Sequence, residues 1–234
     1  MPVKCAVNGF GRIGRLVFRY AWDDPELEIV HVNDLCSCES AAYLAQYDSV
    51  HGTWSKKVDA ADDGKSFTVD GKTVSFSQEK DFTNIDFQAM GVEMVMECTG
   101  KFLKVATLQP YFDKCGVKQV VVSAPVKEEG ALNVVLGCNH EKLSNETTLV
   151  TNASCTTNCL APVVKVIQEN FGIVHGCISK CDFISFATPN IIGRKQVYRL
   201  LKEILYFSCP FLIHYSFYSM LFICTIFIQL PSTT

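Results

Sequence analysis

The chain has 234 residues, 48% of them hydrophobic, with 21 Lys+Arg against 24 Asp+Glu and a net charge of -3. That length allows one large or two small domains, and the apolar share suffices for a core. The weakly acidic balance gives no electrostatic case for nucleic acid, so no nucleic-acid partner is expected.

The twelve cysteines are scattered and form no Cys-x-x-Cys pair, which argues against a zinc site on paired ligands; no metal is expected. The start, Met1-Pro2-Val3-Lys4, leads straight into a strand with no signal peptide. Many thiols without a secretory signal point to the reducing cytoplasm.

Val3 to Val7 reads as a buried strand. Asn8-Gly9-Phe10-Gly11-Arg12-Ile13-Gly14 follows and opens a helical run to Ala21. This is Gly-x-Gly-x-x-Gly between a strand and a helix. Gly9 allows the tight turn, Gly11 lets backbone approach a pyrophosphate, and Gly14 lets helix and strand pack closely. The helix N-terminus supplies amides and a positive dipole end. A second strand, Glu28 to Asn33, ends at Asp34. An acid at that distance from the glycines accepts both ribose hydroxyls of an adenosine and repels a 2′-phosphate, which favours NAD over NADP.

Ser40 to Tyr47 reads as a helix and Gln46 to Gly52 as a loop. Asp63-Gly64 and Asp70-Gly71 mark tight turns around Ser66 to Val69 and Lys72 to Phe76, a hairpin inserted in the sheet. Met90 to Met96 is the next buried strand, ending in Glu97-Cys98-Thr99-Gly100; Val117 to Val122 is another, ending in Ser123. Both ends should face the cofactor crevice, because ligands bind at the carboxyl ends of such strands. Val134 to Leu136 and Thr148 to Thr151 complete the set. His31, His51 and His140 lack metal-ligand spacing and read as surface or hydrogen-bonded residues; Lys101 and Lys104 read as solvated. The fold class is α/β, a Rossmann-type doubly wound parallel sheet.

Past Thr151, Ser154 suits an N-cap, and Leu160, Val163, Val164 and Ile167 recur at helical spacing. Cys155 then lies in the first turn, where the dipole favours a thiolate able to attack a carbonyl carbon. On spacing alone a buried, inert thiol is an equal reading. Cys159, one turn on, reads as a core residue.

These residues resemble the glyceraldehyde-3-phosphate dehydrogenase family. The likeness rests on NGFGRIGR at 8–15, ND at 33–34, YDSVHG at 47–52, ECTGKF at 97–102, VVVSAP at 120–125 and NASCTTNCLAP at 152–162, and it covers residues 1 to about 178. It implies that Arg12, Ile13, Asp34, Lys80, Thr99 and Ser123 bind NAD beside the glycines. It implies that Cys155 is the nucleophile and that Ser154 and Thr156 line the substrate pocket. It also implies glyceraldehyde-3-phosphate and inorganic phosphate as substrates, a cysteine thioester on the way to 1,3-bisphosphoglycerate in glycolysis, and a homotetramer.

The likeness stops after Gly176. The family carries Thr-Thr-x-His there, its histidine the general base; by count, Asp182 holds that place. An ionised aspartate repels a thiolate and has no proton to donate. The expected domains are a NAD-binding part at 1–153, the start of a catalytic domain at 154–178, and a tail at 179–234 that is hydrophobic from about 204. The second domain is thus expected to be incomplete. From Ile204 to Leu230 there is no Asp, Glu, Lys or Arg, and Phe211 to Leu230 is long enough to cross a bilayer. That tail reads either as a membrane anchor or as translated AT-rich non-coding sequence. Three functional readings follow: the family's dehydrogenase, a truncated NAD-binding module with little or no turnover, and a membrane-tethered NAD-binding protein.

Overall fold

In this computed structural model the backbone is described for residues 1–182, 212–213 and 222–229, and the side chains for residues 1–174. The chain divides into two compact units, Met1–Ser154 and Cys155–Thr234.

The first unit opens with β1 (Val3–Asn8), α1 (Arg12–Ala21), β2 (Leu27–Asn33) and α2 (Cys38–Gln46). Ser37 caps α2, its hydroxyl accepting from the Ser40 amide at 3.2 Å. The small hairpin β3 (Tyr47–Asp48) and β4 (Gly52–Thr53) stands where the sequence suggested only loop. Asp48 holds its turn by accepting the amides of Val50 and His51, each at 2.8 Å. Then come β5 (Val58–Ala60), β6 (Ser66–Val69), β7 (Lys72–Ser77) and β8 (Met94–Glu97). Two short helices, α3 (Val105–Leu108) and α4 (Pro110–Asp113), precede β9 (Gln119–Val122), β10 (Leu132–Asn133) and β11 (Leu149–Thr151).

Among the described residues these strands form one nine-stranded sheet in the order β10-β11-β9-β8-β1-β2-β7-β6-β5. The strands from β10 to β7 are parallel, and β6 and β5 add antiparallel at the edge. The hairpin strand β7 thus pairs parallel with β2 on one side and antiparallel with β6 on the other. The order reverses between β1 and β8. The crevice of a doubly wound sheet opens at such a switch point, beyond the carboxyl ends of the strands.

Helices cover both faces. On one, Phe18 of α1 and Ala41, Ala42 and Ala45 of α2 pack on Val7, Val32, Phe67 and Val74. On the other, Leu108 and Tyr111 pack with Phe82, Phe87, Val95 and Val120. Each large side chain so buried contributes roughly 1.5–3 kcal/mol.

Several expected boundaries move; β9 begins at Gln119 rather than Val117, and α2 at Cys38 rather than Ser40. Met90 to Glu93 lies outside β8, because Gly91 adopts φ 69° in the turn before it. Val134 to Leu136 is not a strand. The pairing with β11 is made by Leu132 and Asn133, and Gly137 at φ 83° turns the chain just beyond.

The second unit holds α5 (Cys155–Phe171), β12 (His175–Asp182), β13 (Leu212–Ile213) and β14 (Phe222–Gln229). These strands form an antiparallel sheet in the order β12-β14-β13, with His175 opposite Gln229 and Asp182 opposite Phe222. Part of the apolar tail is thus a strand. No described helix is long and apolar enough to cross a membrane. The rest of the 211–230 stretch, and Arg194, Lys195, Arg199 and Lys202, lie outside the described residues.

Candidate functional site

Three consecutive strand ends build the crevice of the first unit. Gly9 follows β1, and its amide donates to the Asn33 carbonyl at the end of β2, at 2.8 Å. On the other side the Cys98 amide, after β8, donates to the Asn8 carbonyl at 2.7 Å. Gly9 takes φ +90°, and a β-carbon there would stand 2.5 Å from the Thr99 nitrogen. The glycine is required both by its backbone conformation and by the close pass of the Thr99 turn.

Gly11 is different. It is exposed, and no atom lies within 4 Å of the place a β-carbon would take. It is the N-cap of α1, with no side-chain cap and no acid in the first turn. Arg12 and Ile13, the first helical residues, are exposed as well. The first turn of a helix has amides without intrahelical partners and the positive dipole end. Here backbone donors border open space, the arrangement that accepts a phosphate.

Asp34 adjoins this turn. One carboxylate oxygen accepts the Phe10 amide at 2.5 Å and the other the Cys36 amide at 3.0 Å. Each oxygen keeps a further lone pair, and the side chain is half-buried, so it can still receive ribose hydroxyls. Thr99 is exposed; its amide and hydroxyl both donate to one oxygen of Glu97. Ser123 is half-buried after β9, its amide on the Glu97 carbonyl at 2.9 Å. Lys80 is exposed, one residue after Glu79, whose amide and carbonyl bind the Asn33 side chain. The crevice therefore gathers Gly9, Gly11, Arg12, Ile13, Gly14, Asp34, Thr99 and Ser123 at neighbouring strand ends, with Lys80 at its β7 edge. These residues fit a dinucleotide.

Beneath them lies a polar layer of which the sequence suggested only His31, as a surface or hydrogen-bonded residue. Asn8, Asn33, Glu97 and His31 are buried among apolar strands. The Asn33 side chain donates to Asn8 at 2.8 Å and accepts from Ser77 at 2.7 Å, and His31 bridges Ser75 and Ser77 at 2.7 and 2.9 Å. The available signal was the repeated polar residue closing each apolar strand.

In the second unit, Cys155 is the first residue of α5. Its neighbours Ser154 and Thr156 are half-buried. Among the cysteines whose side chains are described, Cys155 is exposed and the others are buried or half-buried. Burial pushes the Cys98 thiol up to about 12 and those of Cys5 and Cys36 to about 11, the Asp34 charge adding to the effect at Cys36. Cys38 and Cys115 are raised by burial too. Such thiols stay protonated and inert at neutral pH. Cys159 is half-buried and belongs to neither apolar cluster, so it is not the core residue the sequence suggested.

Comparison with known proteins decides the lineage. Residues 3–105 match the family described as glyceraldehyde 3-phosphate dehydrogenase, NAD binding domain, and residues 154–183 match its C-terminal domain. The chain belongs to the glyceraldehyde-3-phosphate dehydrogenase family. Its first unit carries that family's NAD-binding domain, and NAD is its cofactor. It is 51% identical over 181 residues to glyceraldehyde-3-phosphate dehydrogenase 3 of Nostoc sp., a match covering 76% of this chain and 52% of that protein. It is 45% identical over 180 residues to glyceraldehyde-3-phosphate dehydrogenase 1 of Bacillus subtilis, again 76% of this chain and 52% of the relative. With glyceraldehyde-3-phosphate dehydrogenase 1 of Kluyveromyces lactis the identity is 45% over 192 residues, 82% and 56% of the two chains. The chain spans about half the length of the curated relatives it matches.

Proposed function

We propose that this chain holds NAD in the crevice of its first unit and presents Cys155 as the nucleophile of an NAD-dependent, phosphorylating glyceraldehyde-3-phosphate dehydrogenase. The observation that carries the reading is the open backbone at Gly11 beside Asp34. Gly9, Gly11 and Gly14 shape the turn, the first amides of α1 take the phosphates, and Asp34 takes the adenosine ribose. Arg12, Ile13, Lys80, Thr99 and Ser123 complete the cofactor contacts. Residues 1–153 form the cofactor domain and 154–178 carry the nucleophile.

Bound NAD supplies the hydride acceptor. The part of Cys155 is to form a carbon–sulfur bond to the aldehyde carbon and then to keep the oxidised acyl group as a thioester. Phosphate oxygen displaces the sulfur, giving the acyl phosphate and returning the thiolate. The first amides of α5 stabilise the oxyanion, and Ser154 and Thr156 bind the substrate. The substrates are glyceraldehyde-3-phosphate and inorganic phosphate. The free thiols among the described cysteines suit a reducing, cytoplasmic setting, and a homotetramer belongs to the same family reading.

Asp182 favours a second reading. It closes β12, and by count along the chain it holds the place of the family's general-base histidine. A carboxylate there disfavours the thiolate, and the chain is then an NAD-binding module with little turnover. Calorimetric titration with NAD, followed by an NADH-absorbance assay with both substrates, separates the cases. Binding with turnover supports the dehydrogenase. Binding alone supports the module, and failure to bind NAD rejects both.

A further inference from the structure

Glu97 closes β8 with 1% of its surface exposed. Among the described residues no Lys, Arg or His forms an ion pair with it. Four donors converge on its two oxygens instead. Asn8 Nδ2 and the Tyr111 hydroxyl reach Oε2 at 2.8 and 2.7 Å. The Thr99 amide reaches Oε1 at 2.8 Å, and the Thr99 hydroxyl binds the same oxygen. Asn8 Nδ2 also donates to the Tyr111 oxygen at 2.6 Å.

A buried carboxylate without a cation is expensive, and packing alone would favour an apolar residue here. Its partners show what it holds. Thr99 is the residue whose backbone fills the space a side chain on Gly9 would need. Asn8 precedes Gly9 and is tied to Asn33, which precedes Asp34. One side chain thus links the ends of β8, β1 and β2 while staying out of reach of any ligand.

We propose that Glu97 is a positioning residue: its carboxylate locks the Thr99 turn against Gly9 and so keeps the crevice in the form that receives the dinucleotide. The inference rests on the NAD-binding reading above. In a doubly wound sheet the acid after the second strand takes the adenosine ribose, and the rest of the dinucleotide crosses the switch point toward β8. The anchor therefore serves the half of the ligand beyond Gly9, not the half at Asp34.

The test is Glu97→Gln in the 234-residue chain, with NAD and AMP titrated separately by calorimetry. Glutamine keeps the shape but sets an NH2 against donors, so one pair must turn away. The NAD Kd should rise about tenfold, the effect of losing one hydrogen bond to a charged group, while the AMP Kd stays within about twofold. Equal change in both, or in neither, overturns the proposal. Tyr111→Phe covers the case in which the first variant does not fold. It keeps the ring stacked on Phe82 at 3.7 Å and removes one donor. A smaller split of the same sign is expected, and no split overturns the proposal. A wild-type chain that takes neither ligand rejects the proposed function instead. Amide exchange over 97–102 then decides the anchor by itself: faster exchange in Tyr111→Phe supports the lock, and unchanged exchange overturns it.

Discussion

The carbonyl oxygen of Gly9 lies 2.0 Å from the point that a β-carbon on Gly14 would occupy. Both atoms are backbone-fixed, so Gly14→Ala forces α1 away from β1. A loss of about 3 kcal/mol or more is expected, at the upper end of overpacking effects. Gly11→Ala meets no atom within 4 Å and should cost less than about 1 kcal/mol, a weaker N-cap. It should nonetheless weaken NAD binding, because in the proposed reading the methyl would stand where the phosphates approach. Urea unfolding of both variants and NAD titration of Gly11→Ala check the pair; wild-type NAD affinity in Gly11→Ala would remove the phosphates from that turn.

Asp34 accepts the Phe10 amide at 2.5 Å and the Cys36 amide at 3.0 Å. Asn in its place turns an NH2 toward one of these donors. The expected cost is about 1–3 kcal/mol of stability, with weaker NAD binding and a smaller preference for NAD over NADP. Parallel titrations of the two cofactors measure that preference. An unaltered ratio in Asp34→Asn would show that another group reads the 2′ position.

His31 is buried between Ser75 and Ser77, and burial holds its imidazole down at about 4 against an ordinary 6.5. The fold favours the neutral ring. Below pH 6.5 the unfolded chain takes up a proton that the folded chain refuses, and stability falls with pH by at most about 1.4 kcal/mol per unit. The loss levels off near pH 4, where the folded ring also protonates. His31→Asn should flatten this window while being less stable at pH 7. Urea unfolding of both proteins at pH 7, 6 and 5 gives the difference, and parallel slopes would contradict the account.

Cys155 is exposed at the start of α5, while Cys5, Cys36 and Cys98 are thiols that burial keeps protonated. Iodoacetamide at pH 7 should therefore modify Cys155 before the other described cysteines, and Cys155→Ser should remove that fast phase. Peptide mapping over time checks the order. Early labelling of Cys98 would show that the strand ends open readily.

Much of this was legible because it is local. A glycine at φ +90°, a helix that begins at residue 12, an acid at the end of the second strand and a cysteine opening a helix each depend on a few adjacent residues. The short helices α3 and α4 were missed because neither reaches the length at which apolar spacing becomes readable. The strand expected at Val134 to Leu136 failed for a related reason: apolar character marks burial, but strand pairing chose Leu132 and Asn133 beside β11.

The residues alone were enough for the family, through its motifs, and for the doubly wound class and the glycine turn at 9–14, because short-range backbone chemistry specifies such a turn. What supports that turn depends on contacts distant in the chain. Asn8 meets Glu97 and Tyr111 across 89 and 103 residues of chain. No local pattern encodes such contacts, since they exist only once β1, β8 and α4 have been packed together and their buried polar groups must satisfy one another.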